Sequence, residues 1–225
     1  MLKKILISFG IILFFILMYN LIDLSPSSKD DFKILGIDIS HHNKIYDWSQ
    51  IKKRTDFCII KASEGKSYKD PMFNSNWNNS KKHNIVRGAY HFFAPGISAE
   101  KQFLNYKNQV KLVSKDLPPI LDVELKECDI DEVNKWLKLA EDYYGVKPIV
   151  YTDYLFFKVF MERKLGNYPL WLHLNYKLKV KPKFNNFDCV FWQYNQEGRM
   201  DGANGDIDLD SFLGDSNDFN NLLIK

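Results

Sequence analysis

Two carboxylates at the end of a short apolar run indicate acid–base chemistry. Asp122 and Glu124 close the stretch 118–124, in which two prolines lead into a run typical of a buried strand. Residues two apart on a strand share one face, with backbones roughly 7 Å apart. Because like charges resist joint ionisation and burial disfavours charge, one of the two should hold its proton near neutral pH. Such a pair is the equipment of glycoside hydrolysis, whereas the simpler alternative is that both carboxylates pair with lysines at a strand end.

The elements that must position this pair alternate along the chain. Eight apolar runs predict strands, at residues 34–40, 57–62, 85–93, 120–124, 148–152, 170–173, 189–194 and 207–212. Helical spacing at 48–54, 71–83, 99–113, 129–144 and 153–165 separates the first six. This alternation predicts a parallel α/β sheet, and eight strands favour closure into a barrel. Because the stretch 33–225 is short for a full barrel of ~250 residues, we expect five βα units followed by strands without regular helices between them.

Polar residues cluster where the predicted strands end, which is where ligands bind in parallel barrels. They are Asp38, Glu64, Tyr90, His91, Asp122, Glu124, Tyr151, His173, Gln193, Tyr194, Asp206, Asp208 and Asp210. Each also has a simpler interpretation: Asp38 as a helix cap or turn residue, for example, or Tyr90 and Tyr151 as core tyrosines with satisfied hydroxyls. The convergence of so many at one end favours an enzyme.

Metal and cofactor sites are disfavoured by spacing. His41 and His42 suggest a metal-dependent hydrolase with Asp38, but adjacent histidines on a loop are expected to point apart, and no third histidine is well placed. The acidic series 206–210 lacks the glycine and glutamate of an EF-hand loop. We therefore predict no metal and no cofactor.

Composition excludes two further classes of protein. The formal net charge is +3 and no basic run is interleaved with aromatic residues, so nucleic acid is not an expected partner. The three cysteines, Cys58, Cys128 and Cys189, are too few for a disulfide framework.

The first 24 residues are predicted to be an export signal or a signal anchor. Lys3 and Lys4 precede an apolar run over 5–19, and counting on to Leu24 gives about the ~20 residues that a bilayer needs. No small-x-small cleavage site precedes Ser25, which favours an uncleaved anchor helix over residues 5–24. Since the lysines are N-terminal, the rest would lie outside the inner membrane, or be secreted if the segment is cleaved. The polar residues 25–32 read as a linker, and 33–225 as one domain, expected to be monomeric.

Six short motifs follow one another along the chain. They are Gly36–Ile37–Asp38–Ile39–Ser40 followed by Ile45–Tyr46–Asp47–Trp48, then Ile60–Lys61–Ala62–Ser63–Glu64–Gly65, Gly88–Ala89–Tyr90–His91–Phe92, Leu121–Asp122–Val123–Glu124, Trp192–Gln193–Tyr194, and Gly205–Asp206–Ile207–Asp208–Leu209–Asp210. Single motifs are not specific, but together, in this order, they resemble glycoside hydrolase family 25, the Ch-type lysozymes, over about residues 34–213.

The resemblance implies a fold, a reaction and a set of site residues. The fold would be a flattened, irregular TIM-like (β/α)5(β)3 barrel. The reaction would be cleavage of the β-1,4 bond between N-acetylmuramic acid and N-acetylglucosamine in peptidoglycan. Glu124 would be the general acid, supported by Asp122, Asp38 and Asp208. The candidate sugar contacts are Tyr90, Tyr151, Trp192 and Gln193, to which the strand-end residues Glu64, His91 and Asp206 are added.

Some departures and alternatives accompany this resemblance. His42–Asn43–Lys44 replaces a Gln-Gly pair, and His173 stands where a small residue is common, which affects subsite preference rather than the reaction. We expect burial and Asp122 to raise the pKa of Glu124. Either an aspartate or the substrate's own N-acetyl group could attack the sugar. The alternative function is a membrane-tethered peptidoglycan-binding module without catalysis.

Overall fold

The computed structural model describes residues 22–23, 33–174, 181–182 and 188–225. The strands are β1 (Ile22–Asp23), β2 (Leu35–Ile39), β3 (Lys44–Ile45), β4 (Phe57–Glu64), β5 (Tyr68–Lys69), β6 (Val86–Phe92), β7 (Ile120–Asp122), β8 (Ile149–Asp153), β9 (Leu170–His173), β10 (Lys181–Pro182), β11 (Cys189–Gly198), β12 (Ala203–Asn204) and β13 (Ile207–Phe212). The α-helices are α1 (Trp48–Lys52), α2 (Phe73–Lys82), α3 (Ala99–Gln109), α4 (Ile130–Tyr144), α5 (Tyr154–Phe156) and α6 (Ser216–Leu222), and a π-helical turn, Phe157–Met161, continues α5.

The main sheet closes on itself into a barrel. Its strands follow the order β2-β13-β11-β9-β8-β7-β6-β4-β5, and β2 also pairs with β4, so that only β5 lies outside the closed ring of the described strands. The pairs from β2 through β4, β6, β7, β8 and β9 to β11 are parallel. The strand β13 is antiparallel to both of its neighbours. Its amino end therefore lies at the same rim as the carboxyl ends of the parallel strands, and we call this rim the mouth.

Alternation along each strand separates two apolar cores. One fills the barrel and contains side chains such as Phe57, Ile120, Trp171, Phe191 and Phe212. The other lies between the outside of the barrel and the helices, with members such as Ile37, Leu121, Val150, Trp136 and Phe103. Neighbours in sequence such as Ile120 and Leu121 thus enter different cores, because successive side chains of a strand point to opposite faces.

Short polar side chains start and stop the helices. The carboxylates of Asp47 and Asp129 accept hydrogen bonds from backbone N–H groups in the first turns of α1 and α4, as is usual for an aspartate at this position. Gly145 ends α4 in the left-handed region at φ 72°, where glycine is favoured. Asp153 caps α5 through Oδ1, at 2.8 Å from the N–H of Leu155 and 3.0 Å from that of Phe156.

The predicted architecture is confirmed in its main part. A mixed α/β fold with a closed barrel forms, and every predicted strand is present within a few residues of its expected bounds. The helix expected over 153–165 is shorter, since it ends as a π-helical turn at Met161. The pairs β3–β12 and β4–β5 and the helix α6 were not expected from the sequence.

The predicted anchor falls almost entirely outside the described residues. Only Ile22–Asp23 is described within 1–24, and these two residues form a strand paired with Lys181–Pro182 instead of the end of a helix. Across the described parts of the chain, no helix has both the length and the apolar character that crossing a membrane requires. The linker 25–32 and most of the connection 177–187 also lie outside the described residues.

The interior leaves no room for a side chain at Gly36. A Cβ there would lie 2.2 Å from Cε2 of Phe57, a ring that is fully buried inside the barrel. We expect Gly36→Ala to lower the free energy of unfolding by ~1–3 kcal/mol, the usual cost of overpacking. Chemical denaturation measures this loss. Phe57→Leu in the same chain should recover part of it, and strictly additive effects of the two changes would contradict the packing argument.

Candidate active site

A hydrogen-bonded chain of polar side chains crosses the barrel just below the mouth. Gln193 Nε2 donates to Asp38 Oδ2 at 2.6 Å, and the Tyr151 hydroxyl donates to Gln193 Oε1 at 2.7 Å. Gln196 Nε2 donates to the same Oε1 at 3.1 Å. Because Gln193 is almost completely buried and spans an acceptor and a donor, its amide fixes both Asp38 and Tyr151.

Three carboxyl groups meet where β2 and β13 pair. Asp208 and Asp38 are direct cross-strand partners, and Asp210 lies two residues further along the same face of β13. Asp210 Oδ1 accepts from Trp171 Nε1 at 2.9 Å. Its buried Oδ2 meets no hydrogen-bond donor. A proton held between Asp38 and Asp210 would satisfy this oxygen, since two carboxylates this close cannot both stay charged.

Burial and mutual repulsion raise the pKa values in this cluster. Burial, then the charges of Asp210 and Asp208, raise the pKa of Asp38 well above its usual range. Burial likewise raises the pKa of Asp210. For Asp208, which is half-buried, burial raises the pKa to about 6, with His173 opposing the rise and Glu124 adding to it. Asp208 is therefore the member of the cluster that loses its proton most readily.

The opposite side of the mouth carries Asp122 and Glu124. Asp122 is 5% exposed, and burial followed by the nearby charge of Glu124 raises its pKa well above the usual range. Glu124 lies just beyond β7 and is exposed. The predicted shared face is present, but the expected burial of Glu124 is wrong: Asp122 is the buried member, and Glu124 projects into the open mouth.

Lys61 is a site residue that was not predicted. Its Nζ lies 2.7 Å from Glu64 Oε2 and 5.0 Å from the centre of the Phe92 ring. The charge of Lys61 opposes the rise in the pKa of Asp122, which burial dominates. The signal was present in the sequence, because Phe57, Ile59 and Lys61 alternate along one face of a buried strand, which places a lysine inside the barrel.

Comparison with known proteins shows the family to which this chain belongs. The sequence profile of Glycosyl hydrolases family 25 matches residues 37–203. The chain belongs to glycosyl hydrolase family 25. It is 34% identical over 194 residues to the uncharacterized protein YegX of Escherichia coli strain K12, covering 81% of this chain and 71% of that protein. Lysozyme M1 of Streptomyces globisporus is 28% identical over 206 residues, covering 82% and 69% respectively.

A solved structure agrees with this family assignment. A family 25 glycosyl hydrolase from Bacillus anthracis aligns with a TM-score of 0.78 at 27% identity, covering 88% of this chain and 97% of that one. The chain is therefore a glycoside hydrolase, and the family 25 motifs noted in the sequence correspond to the barrel strands whose ends form the mouth.

Two of the predicted sugar contacts of this family 25 enzyme point away from the mouth. His91 is fully buried between the barrel and the helices, where its Nδ1 lies 2.8 Å from Ser63 Oγ and its ring stacks on Trp136. Burial lowers the pKa of His91 to about 3, so the ring is neutral. Trp192 is 3% exposed and donates from Nε1 to the Leu174 carbonyl at 2.9 Å. His91 follows the inward-facing Tyr90 by one position, and Trp192 precedes the inward-facing Gln193 by one position, so both side chains point outward. We therefore no longer assign His91 and Trp192 to the substrate.

The remaining predicted contacts are spread around the mouth. The pKa values of Tyr90 and Tyr151 are raised by burial and then by carboxylates that include Asp38, Asp122 and Glu124, which places both phenols beside the acids. Glu64 is held by Lys61 at the rim. Asp206 is exposed and lies 3.1 Å from Arg199 Nη2, outside the buried cluster.

The two loop histidines are arranged differently from the prediction. The ring centroids of His41 and His42 are 3.8 Å apart, so the expectation that they point apart is wrong. His41 Nδ1 lies 2.8 Å from Asp70 Oδ2. Within the described residues no three His, Cys, Asp or Glu side chains are grouped in a way that could hold a metal ion.

Asp208 should make stability depend on pH. Its pKa is about 6 in the fold against 3.8 for an unperturbed aspartate, so its contribution is full below pH 4 and is lost as pH rises through 6. We expect Asp208→Asn to raise the melting temperature at pH 7 and to change it little at pH 4, as measured by calorimetry. The exposed Asp206→Asn is the matched control. Equal shifts at the two pH values would contradict this placement of Asp208.

Proposed function

We propose that this chain is a lysozyme of the muramidase type, which cleaves the β-1,4 bond between N-acetylmuramic acid and N-acetylglucosamine in peptidoglycan. Family membership supports the reaction class. One observation carries the proposal: acids lie on both sides of the mouth. The buried Asp122 and the exposed Glu124 lie on one side, and they face the cluster that contains Asp208 on the other side. Relatives named lysozyme or N,O-diacetylmuramidase supply the substrate class.

Glu124 is the proposed general acid. Its neighbour Asp122 holds its proton to higher pH than an ordinary carboxyl, because burial raises its pKa. Since Asp122 is buried and Glu124 is exposed, Glu124 is the member that can reach a leaving oxygen. Asp122 then supports Glu124 by holding the proton that passes through Glu124 to the leaving oxygen.

Asp208 is the proposed stabiliser of the positive charge that develops on the sugar. Asp38 and Asp210 are buried, and they accept hydrogen bonds from Gln193 and Trp171, respectively. Asp208 is half-buried, so it combines access to a sugar with the ability to ionise. The mouth is compatible with two reaction routes. In one the Asp208 carboxylate approaches the anomeric carbon, and in the other the substrate's N-acetyl oxygen does so.

Replacing the proposed acid tests the assignment. Glu124→Gln removes the proton donor but keeps the size and polarity of the side chain, so we expect release of reducing ends from purified peptidoglycan to fall by ~10²–10⁴-fold. Glu127→Gln, in the same exposed loop, is the matched control and should retain activity. Wild-type activity in the Glu124→Gln enzyme would refute the role, and binding of peptidoglycan by a wild-type chain that releases no reducing ends would show a binding module instead.

We also propose that the apolar segment before Ile22 anchors the enzyme with its domain outside the cytoplasm, where peptidoglycan lies. The apolar run after Lys3 and Lys4 and the absence of a small-x-small site between Gly10 and Ser25 support this arrangement. The polar linker 25–32 would give the domain its reach.

Fractionation of expressing cells tests the anchor. We expect the chain in the membrane fraction with an intact mass that includes residues 1–24, and we expect protease added outside the inner membrane to digest it. Recovery of a shortened chain in the soluble extracytoplasmic fraction would show a cleaved signal instead.

A further inference from the structure

An aromatic surface at the edge of the mouth has no assigned part in the reaction. It is formed by His41 and His42, in the loop that follows β2, and by Tyr68 on β5, and we call these three residues the aromatic rim. The ring centroids of His41 and Tyr68 are 6.0 Å apart, and those of His41 and His42 are 3.8 Å apart. The three rings therefore form one continuous surface.

A buried carboxyl group fixes the position of the first histidine. Asp70, whose side chain is completely buried, accepts the backbone N–H of His41 through Oδ2 at 3.0 Å, and the same Oδ2 lies 2.8 Å from His41 Nδ1. Asp70 Oδ1 accepts the N–H of Met72 at 2.9 Å, so the carboxyl group is itself fixed. The Tyr68 hydroxyl lies 3.2 Å from His41 Nδ1, which joins the two parts of the rim.

The tyrosine side of the rim is fixed from the helix layer. Asn105 on α3 places Nδ2 at 3.2, 3.1 and 3.0 Å from the carbonyl oxygens of Glu64, Gly65 and Tyr68, respectively. One buried amide thus holds the end of β4, the turn and the start of β5 together. Because side chains that are already ordered lose little conformational entropy when a ligand binds, a surface fixed at both ends is suited to recognition.

Strand pairing directs Tyr68 toward the mouth. Tyr68 is the antiparallel cross-strand partner of Glu64, and directly opposed residues have their side chains on the same face. Glu64 pairs with Lys61, which lies on the inner face of β4. Lys61 Nζ is also 5.7 Å from the centre of the Tyr68 ring. The aromatic rim therefore borders the Lys61–Glu64 ion pair.

The rings of the rim are fixed but open to solvent. Tyr68 is 40% exposed, the side chain of His41 is 29% exposed, and His42 is exposed. Aromatic faces beside a few polar groups are the usual lining of ligand sites. A pyranose ring whose hydroxyl groups are equatorial presents C–H groups on its faces and polar groups at its edge. Such a sugar matches the rim and the adjacent ion pair.

We propose that the aromatic rim is a distal sugar subsite, in which Tyr68 and His42 stack on a pyranose ring of the glycan strand away from the bond that is cleaved. Glu64, opposite Tyr68, accepts hydrogen bonds from the hydroxyl or amide groups of the same sugar. The subsite is distal because β5 lies outside the closed ring of strands, whereas the proposed acid follows β7. The identity of the glycan as peptidoglycan rests on the proposed function.

Binding measured without turnover tests the subsite. Sedimentation with purified peptidoglycan gives the Kd of chains that also carry Glu124→Gln, which leaves the glycan intact. We expect Tyr68→Ala and His42→Ala each to raise this Kd by roughly 2–10-fold, the effect of losing one aromatic contact. In the chain that retains Glu124, Tyr68→Ala should raise KM by the same factor and leave kcat unchanged, because a distal contact is equally strong before and during the reaction.

Three further variants separate stacking from general disturbance. Tyr68→Phe keeps the ring and should keep the Kd, whereas Tyr68→Leu keeps only apolar bulk and should raise the Kd as Tyr68→Ala does. Tyr143→Ala removes a tyrosine on α4 that is 52% exposed and lies outside the rim, so it is the matched control and should leave the Kd unchanged. Melting temperatures establish that each variant is folded.

The outcomes are distinguishable from failure of the proposed function. An unchanged Kd in either Tyr68→Ala or His42→Ala, an equal rise in Tyr143→Ala, or a wild-type chain that binds no peptidoglycan would overturn the subsite. A loss in Tyr68→Phe equal to that in Tyr68→Ala would overturn stacking as its basis. A wild-type chain that binds peptidoglycan but releases no reducing ends would refute the muramidase proposal, whereas the Kd values would still decide whether the rim binds sugar.

Discussion

Burial of Asp38, Asp122 and Asp210 inside a closed barrel is the constraint on which the rest of the site depends. A carboxylate in an apolar interior is costly, and several close together are costlier still, so protons are retained that water would remove. This retention gives the mouth acids that keep their protons to higher pH than usual, and it leaves the half-buried Asp208 as the member of the Asp38–Asp208–Asp210 cluster that ionises most readily. The same burial that makes the chemistry available therefore weakens the fold as pH rises.

The surrounding residues offset this cost in specific ways. Gln193 donates to Asp38, Trp171 donates to Asp210, and Lys61 supplies charge near Asp122.

The reversed direction of β13 is equally important, since an antiparallel strand brings Asp208 opposite Asp38 at the rim. A parallel last strand would present its carboxyl end, with Phe212, at the mouth instead. The direction of β13 thus determines which acids meet. The contacts made by Gln193, Trp171 and Lys61 determine how many of those acids can be charged.

Strand alternation explains both the successes and the errors of sequence reasoning. Apolar runs located the barrel strands, and the i, i+2 spacing placed Asp122 and Glu124 on one face, because both follow from local backbone geometry. His91 and Trp192 were misassigned because a one-residue difference moves a side chain from the interior to the helix layer. Lys61 was overlooked although its alternation with Phe57 and Ile59 placed it inside. Inner and outer faces of a fully buried strand are both apolar, so composition alone does not distinguish them.

The sequence by itself determined the order of strands and helices, the helix caps, the family motifs and the set of acids at the strand ends, since these depend on local spacing and residue type. Only the tertiary structure decided which acid is buried, which is exposed, and which lie within reach of one another. Asp38, Asp208 and Asp210 are separated by up to 172 residues in the chain, and Asp153 is joined to His173 through strand pairing. Burial and distance are properties of the closed sheet, and they set the proton affinities on which the proposed reaction depends.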